Sequence, residues 1–198
     1  MDMFFYAVGT TGLNPYKNSM IRLSGILTRK DAILEMVEID FQPHPKAKID
    51  AEALKYQGLT EDQIQKYQPL EQGVIQLVKI FRRYVDMYNP EDVIMPVGFN
   101  NRAFDDVFLS RTFMLADRRD LPNYLYPASI DLSCLEALQV LTGIIPVIKP
   151  SLKNSLLDIG ISFNEKNLCQ PMYKAQMIKK LWDTSYKINC DPTIRMLL

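Results

Sequence analysis

The sequence predicts an α/β layer built on a mixed sheet, and three observations carry that reading. An apolar, β-prone run opens the chain. Two alternating segments follow it closely, and from Leu70 onward helix-periodic stretches alternate with short apolar runs. The predicted order is β-β-β-α-β-α-β-α-α.

Residues 3–8 are apolar and β-prone, a buried strand that Gly12, Asn14 and Pro15 turn into a loop. Met20 to Leu27 alternates and reads as a second strand, Val37 to Phe41 as a third, with Thr28-Arg29-Lys30-Asp31 as a hairpin-like turn between them. Short connections imply an antiparallel meander. Pro43 and Pro45 end that run. Asp50 to Leu54 predicts a short capped helix, and Thr60 opens another, with Gln63 at the capping-box position. Val74, Leu77, Val78, Phe81 and Val85 share one helical face, predicting a long amphipathic helix from Leu70 to Tyr88, before Asn89-Pro90. Val93 to Gly98 is a further strand and Ala103 to Ala116 a helix. Ile130-Asp131-Leu132 is a short last strand with a helix from Ser133 to Leu141. Leu152 to Ile159 and Met172 to Tyr186 complete the helices.

The 198 residues suit one domain, 1–198, large enough to bury roughly two-thirds of its unfolded surface. Apolar residues at 47% and charged residues at 23% exclude a disordered chain. Lysine plus arginine equals aspartate plus glutamate, 23 each, so nucleic-acid binding would require a local basic patch. Cys134, Cys169 and Cys190 are odd in number and form no C-x-x-C pair, which supports neither a disulfide framework nor a zinc site and leads us to expect a reducing, cytoplasmic setting. The apolar runs fall short of the ~20 residues needed to span a bilayer. The opening Met1-Asp2-Met3-Phe4-Phe5 has no basic stretch of the signal-peptide kind, so no membrane association is expected.

Three segments carry chemistry. In Ala7-Val8-Gly9-Thr10-Thr11-Gly12-Leu13, positions 7 and 9 of the strand point to one side. Two acids at that spacing could share divalent metals at the strand end; alanine and glycine offer no ligand atoms, and the plain alternative is an ordinary strand and turn. In Val97 to Leu109, Gly98 at the strand exit would let backbone approach a ligand. Asp105, one to two turns into the next helix, would face a cleft, whereas the plain reading of Asp105-Asp106 is a pair of solvated first-turn acids. In the third segment, Leu152 to Trp182, Lys174, Lys179 and Lys180 read as a solvated face rather than a phosphate patch. His44, the only histidine, lies in a loop between prolines, exposed and poorly suited to act as a base.

Together these segments resemble the DnaQ-like (DEDD) superfamily of 3′–5′ exonucleases. The family opens with D-x-E-T-T-G-L, and this chain reads Ala7-Val8-Gly9-Thr10-Thr11-Gly12-Leu13. Pro45 to Thr60, including Ile49, Ala53 and Gly58-Leu59-Thr60, is similar to the family's next segment, with Gln57 where a histidine is frequent. N-x-x-x-F-D-x-x-F-L is present in full as Asn100 to Leu109. Leu152 to Ala175 looks like the closing segment, in which a Gly-Ile turn precedes H-x-x-x-x-D-A.

The resemblance implies a ribonuclease H-like exonuclease fold: a mixed five-stranded sheet with helices on both faces. The family uses four carboxylates to hold two metal ions ~3.5–4 Å apart. Carried over residue by residue, the first two positions hold Ala7 and Gly9, the third keeps Asp105, the fourth falls on Lys174 and the histidine on Cys169. A one-residue slip would bring Tyr173 to the fourth position. One carboxylate cannot hold two divalent cations, and nothing in the spacing assigns Asp106, Asp131 or Glu165 to a different metal site. The resemblance thus implies a pseudoenzyme with no cofactor and Asp105 as a weak metal candidate. Thr10, Thr11, Gly12, Leu13, Phe99, Asn100 and Asn101 would line a groove for a 3′ terminal nucleotide, Leu13 and Phe99 against its base. The implied partners are single-stranded DNA or RNA, or a protein if the chain is a scaffold. The alternative is an active 3′–5′ exonuclease with a rearranged set of ligands for Mg²⁺ or Mn²⁺.

Overall fold

The computed structural model describes residues 1–143 and 150–185. Tyr186, the expected end of the last helix, and Cys190 lie outside the described residues. Five strands form one sheet in the order β3-β2-β1-β4-β5: β1 (Met3–Thr10), β2 (Met20–Arg29), β3 (Ala32–Asp40), β4 (Met95–Gly98) and β5 (Ile130–Asp131). The β1–β2 and β2–β3 pairs are antiparallel, and the β1–β4 and β4–β5 pairs are parallel. The sheet is therefore mixed, and the predicted meander is its antiparallel half.

β1 reads as a continuous apolar run because it is central and covered on both faces. Phe4, Tyr6 and Val8 enter one core with Leu77, Phe81, Phe108 and Phe113 of α3 (Leu70–Phe81) and α4 (Asp105–Leu115). Phe5 enters the other with Leu156, Ile178 and Trp182 of α6 (Leu152–Asp158) and α7 (Pro171–Ser185). Helices cover both faces, as the resemblance implies. At the sheet edge, β3 exposes Ala32 and Ile33 and buries Val37 and Ile39.

The predicted caps form. Asp50 caps α1 (Ala51–Gln57), its side chain accepting from the Glu52 N–H, and Thr60 with Gln63 makes a reciprocal capping box on α2 (Glu61–Ile64). Asp131 caps α5 (Leu132–Leu141). α3 departs from expectation by ending at Phe81 rather than Tyr88. Beyond it the Arg83 guanidinium and the Tyr84 hydroxyl both donate to Glu35 on β3, and Val85 is buried from a turn. The apolar period continues through Val85 although the helix does not. Two short 3₁₀ turns, Leu121–Asn123 and Glu165–Cys169, are too brief to leave a periodic signal.

A cleft at the end of the central strand

β4 pairs with β1 only from Met3 to Phe5, so the rest of that edge of β1 has no strand beside it. β4 ends at Gly98, and Asn100 takes a left-handed conformation with φ 57°. The loop is held by Asp131, whose Oδ1 accepts from the Asn100 N–H at 2.8 Å and from the Ser133 hydroxyl at 2.7 Å. The Asn101 carbonyl accepts from the Phe104 and Asp106 N–H groups, delaying the helix until Asp105. Asp105 thus stands at the first position of α4, not one to two turns in. It is also buried rather than solvated, at 1% exposure.

From there Asp105 reaches back to the bare edge of β1, where its Oδ1 accepts from the Val8 N–H at 2.9 Å. The other oxygen, Oδ2, faces the Lys174 ammonium of α7 at 3.8 Å. Burial raises the Asp105 pKa above the ordinary carboxylate value; Lys174 and the Val8 N–H pull it back down, and Asp106 adds to the rise. Tyr173 points elsewhere, its hydroxyl accepting from the Asn164 N–H at 2.7 Å, so Lys174 is the α7 side chain that meets Asp105. Lys179 pairs with Asp183 and lies over the Phe5 ring, and Lys180 is exposed. The three lysines therefore do not form one solvated face.

Ala7 is fully buried. Gly9 is packed so closely that a Cβ built on it would lie 2.4 Å from Gln57 Oε1 and 3.3 Å from Pro171 Cγ. Gln57, on the last turn of α1, donates through Nε2 to the carbonyls of Thr10 at 2.8 Å and Ala53 at 2.9 Å. These two bonds fix the amide with Oε1 against Gly9, a buried acceptor without a partner. The space that a side chain at position 9 would need is thus filled by Gln57.

The remaining acids are engaged elsewhere. Asp106 accepts from the Tyr6 hydroxyl, from Ser129 Oγ at 2.5 Å and from Asn101 Nδ2 at 3.2 Å. Burial first, then the Asp106 and Asp105 charges, hold the Tyr6 phenol well above its usual pKa. Glu165 pairs with Lys153 at 2.6 Å. Among the described residues no group of three or more His, Cys, Asp or Glu side chains could hold a metal ion. A pair of divalent cations does not fit this donor set, since the Asp105 carboxylate at the bare edge of β1 already meets an ammonium.

Two openings flank Lys174, their linings sharing Phe104 and Lys174. The first, about 380 Å³, is lined among others by Gly9, Leu13, Tyr56, Gln57, Cys169 and Lys174. The second, about 490 Å³, is bounded by Asn100, Phe104, Asp105, Ser133, Leu152 and Lys174. Leu13 is 82% exposed at the rim. Thr10 and Thr11 are buried, and the Thr11 hydroxyl donates to the Lys48 carbonyl and accepts from the Ser19 N–H, both at 2.9 Å, so these side chains build the turn itself. Phe99 is buried in the second core, with only a small part lining the second opening. Gly98 is approached by the Asn101 side chain, at 2.5 Å from a built Cβ, where a ligand was expected. Cys169 donates its thiol to the Lys166 carbonyl at 3.0 Å. His44 is half-buried rather than exposed: its N–H donates to Ser19 Oγ and its Nδ1 accepts from the Lys46 N–H.

Tyr56, 69% exposed on the cleft wall, escaped the sequence reading. Its signal was an aromatic outside the apolar phase of a short helix whose inward residue is Leu54.

The sheet order, the two helical layers and a cleft at the end of β1 define an exonuclease-like fold of the ribonuclease H type, the DnaQ-like architecture. No family model matches the chain. It superposes on E. coli exonuclease I in the zinc-bound complex with single-stranded DNA with a TM-score of 0.77 and 14% identity, covering 99% of this chain and 42% of that one. For E. coli exonuclease I with a dT13 oligonucleotide the TM-score is 0.75 at 14% identity, over 99% of this chain and 43% of the other. A DNA polymerase III of PolC type from Mycoplasmopsis pulmonis is 27% identical over 109 residues, which are 55% of this chain and 7% of that protein. The chain thus spans less than half of the exonuclease I chains it matches. No helix among the described residues is long and apolar enough to cross a membrane.

Proposed function

We propose that this protein holds the end of a single-stranded nucleic acid in the cleft at the end of β1 and does not cut it. The observation that carries the proposal is the Asp105–Lys174 contact: where the fold's nucleases place several carboxylates, the bare edge of β1 meets Asp105, and a cation faces that carboxylate at 3.8 Å. Metal-assisted hydrolysis depends on concentrated negative charge, and an ammonium at that spot repels divalent cations.

Binding is supported by two features. Leu13 and Tyr56 offer apolar and aromatic surface on the cleft wall for sequence-tolerant contact with a base. The second feature is a source of the local positive charge that a chain of zero net charge requires. Lys17, Lys46 and Lys48 are exposed, and the Lys48 N–H donates to the Lys17 carbonyl at 2.6 Å, stitching the 44–50 segment to the loop that carries Leu13. Exonuclease I, the fold neighbour, has been captured with single-stranded DNA.

The test uses labelled single-stranded DNA and RNA with Mg²⁺ or Mn²⁺ against a chelator. The expected result is no shortening above buffer, together with salt-sensitive binding. Chelator-sensitive shortening by the wild-type chain that disappears in Asp105→Asn would overturn the proposal and favour an active exonuclease. No binding at low salt would point to a protein scaffold.

A further inference from the structure

Lys174 does more than fill a vacant acid position. At 3.8 Å its ammonium attracts Asp105 without hydrogen-bonding to it, and among the described residues it donates to no other protein group. An ammonium carries three donors. Its side chain is 27% exposed, and it lines both openings of the cleft. Three undirected N–H donors on a compact cation, inside a concave site, form a receptor for an anion.

The linings decide where that anion sits. Asp50 and Glu52 line the first opening, whereas among the described residues the second has no acid besides Asp105, which Lys174 already faces. An anionic group is therefore favoured on the second-opening side of Lys174, and the uncharged part of the same ligand against Leu13 and Tyr56 in the first. A nucleotide has this division: a phosphate joined to an aromatic base.

We infer that Lys174 is a direct phosphate ligand, holding the terminal phosphate group of a single strand by its ammonium with no metal ion between them. This deepens the proposed function and rests on it. A site built this way binds in the presence of chelator, and it prefers a strand that ends in a phosphomonoester, which carries more charge than a diester, over one that ends in a hydroxyl.

The experiment measures fluorescence anisotropy of a 5′-labelled oligothymidylate, ending in 3′-hydroxyl or 3′-phosphate, with the full chain in EDTA. The expected result is binding without metal, with the 3′-phosphate form several-fold tighter. Lys174→Gln should weaken the phosphate form about tenfold and level the two. Because that change leaves Asp105 buried opposite a neutral group, the double variant Lys174→Gln/Asp105→Asn serves as a second probe. It is neutral on both sides and keeps an acceptor for the Val8 N–H. Equal affinity of wild type and the double variant for the phosphate form, or wild-type binding that appears only with Mg²⁺, overturns the inference. Cleavage of the same oligonucleotides would instead overturn the underlying reading, so the two failures are distinguishable.

Discussion

Asp105 has a structural reason to be an acceptor that has nothing to do with metals. β1 outruns its β4 partner, and the Val8 N–H on the bare edge finds the Asp105 carboxylate at 2.9 Å. Replacing Asp105 by alanine orphans that donor and should cost about 2 kcal/mol, while asparagine, which keeps an acceptor, should cost much less. The pH dependence separates the charge from the bond. The folded pKa of Asp105 is raised, so the folded state holds its proton more tightly than the unfolded chain does. Wild type is then penalised above the folded pKa, and the penalty vanishes below the ordinary carboxylate pKa of about 3.9. In urea melts, wild type should lose stability relative to Asp105→Asn as pH rises from 4 to 7, by at most about 1.4 kcal/mol per pH unit. A difference that is flat with pH, or of opposite slope, would refute this account. Sequence placed this residue in the right segment and left two readings open, an acid facing a cleft and a solvated first-turn acid. Its burial depends on Asn100 and Asn101 shaping the loop ahead of it and on Lys174, far along the chain, coming to meet it.

At the scale of elements, α1 and β1 are fitted to each other through Gln57 and Gly9. Gly9→Ala should destabilise the protein by about 1–3 kcal/mol, because the new Cβ meets an amide that two hydrogen bonds hold in place. In the background of Gln57→Ala the same change should cost far less. A thermodynamic cycle over the four chains reads this coupling, and additivity would show that the two positions are independent. The start of α1 was plain in the sequence, since Asp50 is a capping residue at the right spacing. Its docking was not: a helix of this length leaves no trace of which strand its last turn will press upon. The early end of α3 was hidden for a similar reason, because Glu35 on β3 recruits Arg83 and Tyr84 across the fold while local periodicity continues.

For the whole molecule, zero net charge conceals an uneven distribution. Part of the cationic charge is tied up in pairs, such as Arg22 with Asp40, Arg29 with Asp2 and Arg83 with Glu35. Lys17, Lys46 and Lys48 are exposed, and the Lys48 N–H donates to the Lys17 carbonyl on the loop that carries Leu13. If single strands run across them, changing all three to glutamine should lower the slope of log affinity against log salt by about 2. Titrations at several salt concentrations check this, and an unchanged slope would place the strand elsewhere. Composition alone could set the requirement for such a patch. It could not locate one, since Lys48 meets Lys17 only when residues 44–50 dock on the loop after β1.

The packing of Gln57 on Gly9 also governs what mutation could do to this cleft. Glutamate at position 9 alone would collide with a fixed amide. Aspartate at position 174 alone would set a second carboxylate opposite buried Asp105, with no cation to separate them. Each single step toward an acid-lined cleft is therefore uphill in stability. The arrangement behaves as a ratchet: Gln57 guards position 9 and Asp105 guards position 174, so an acid enters either place only if its guard changes with it.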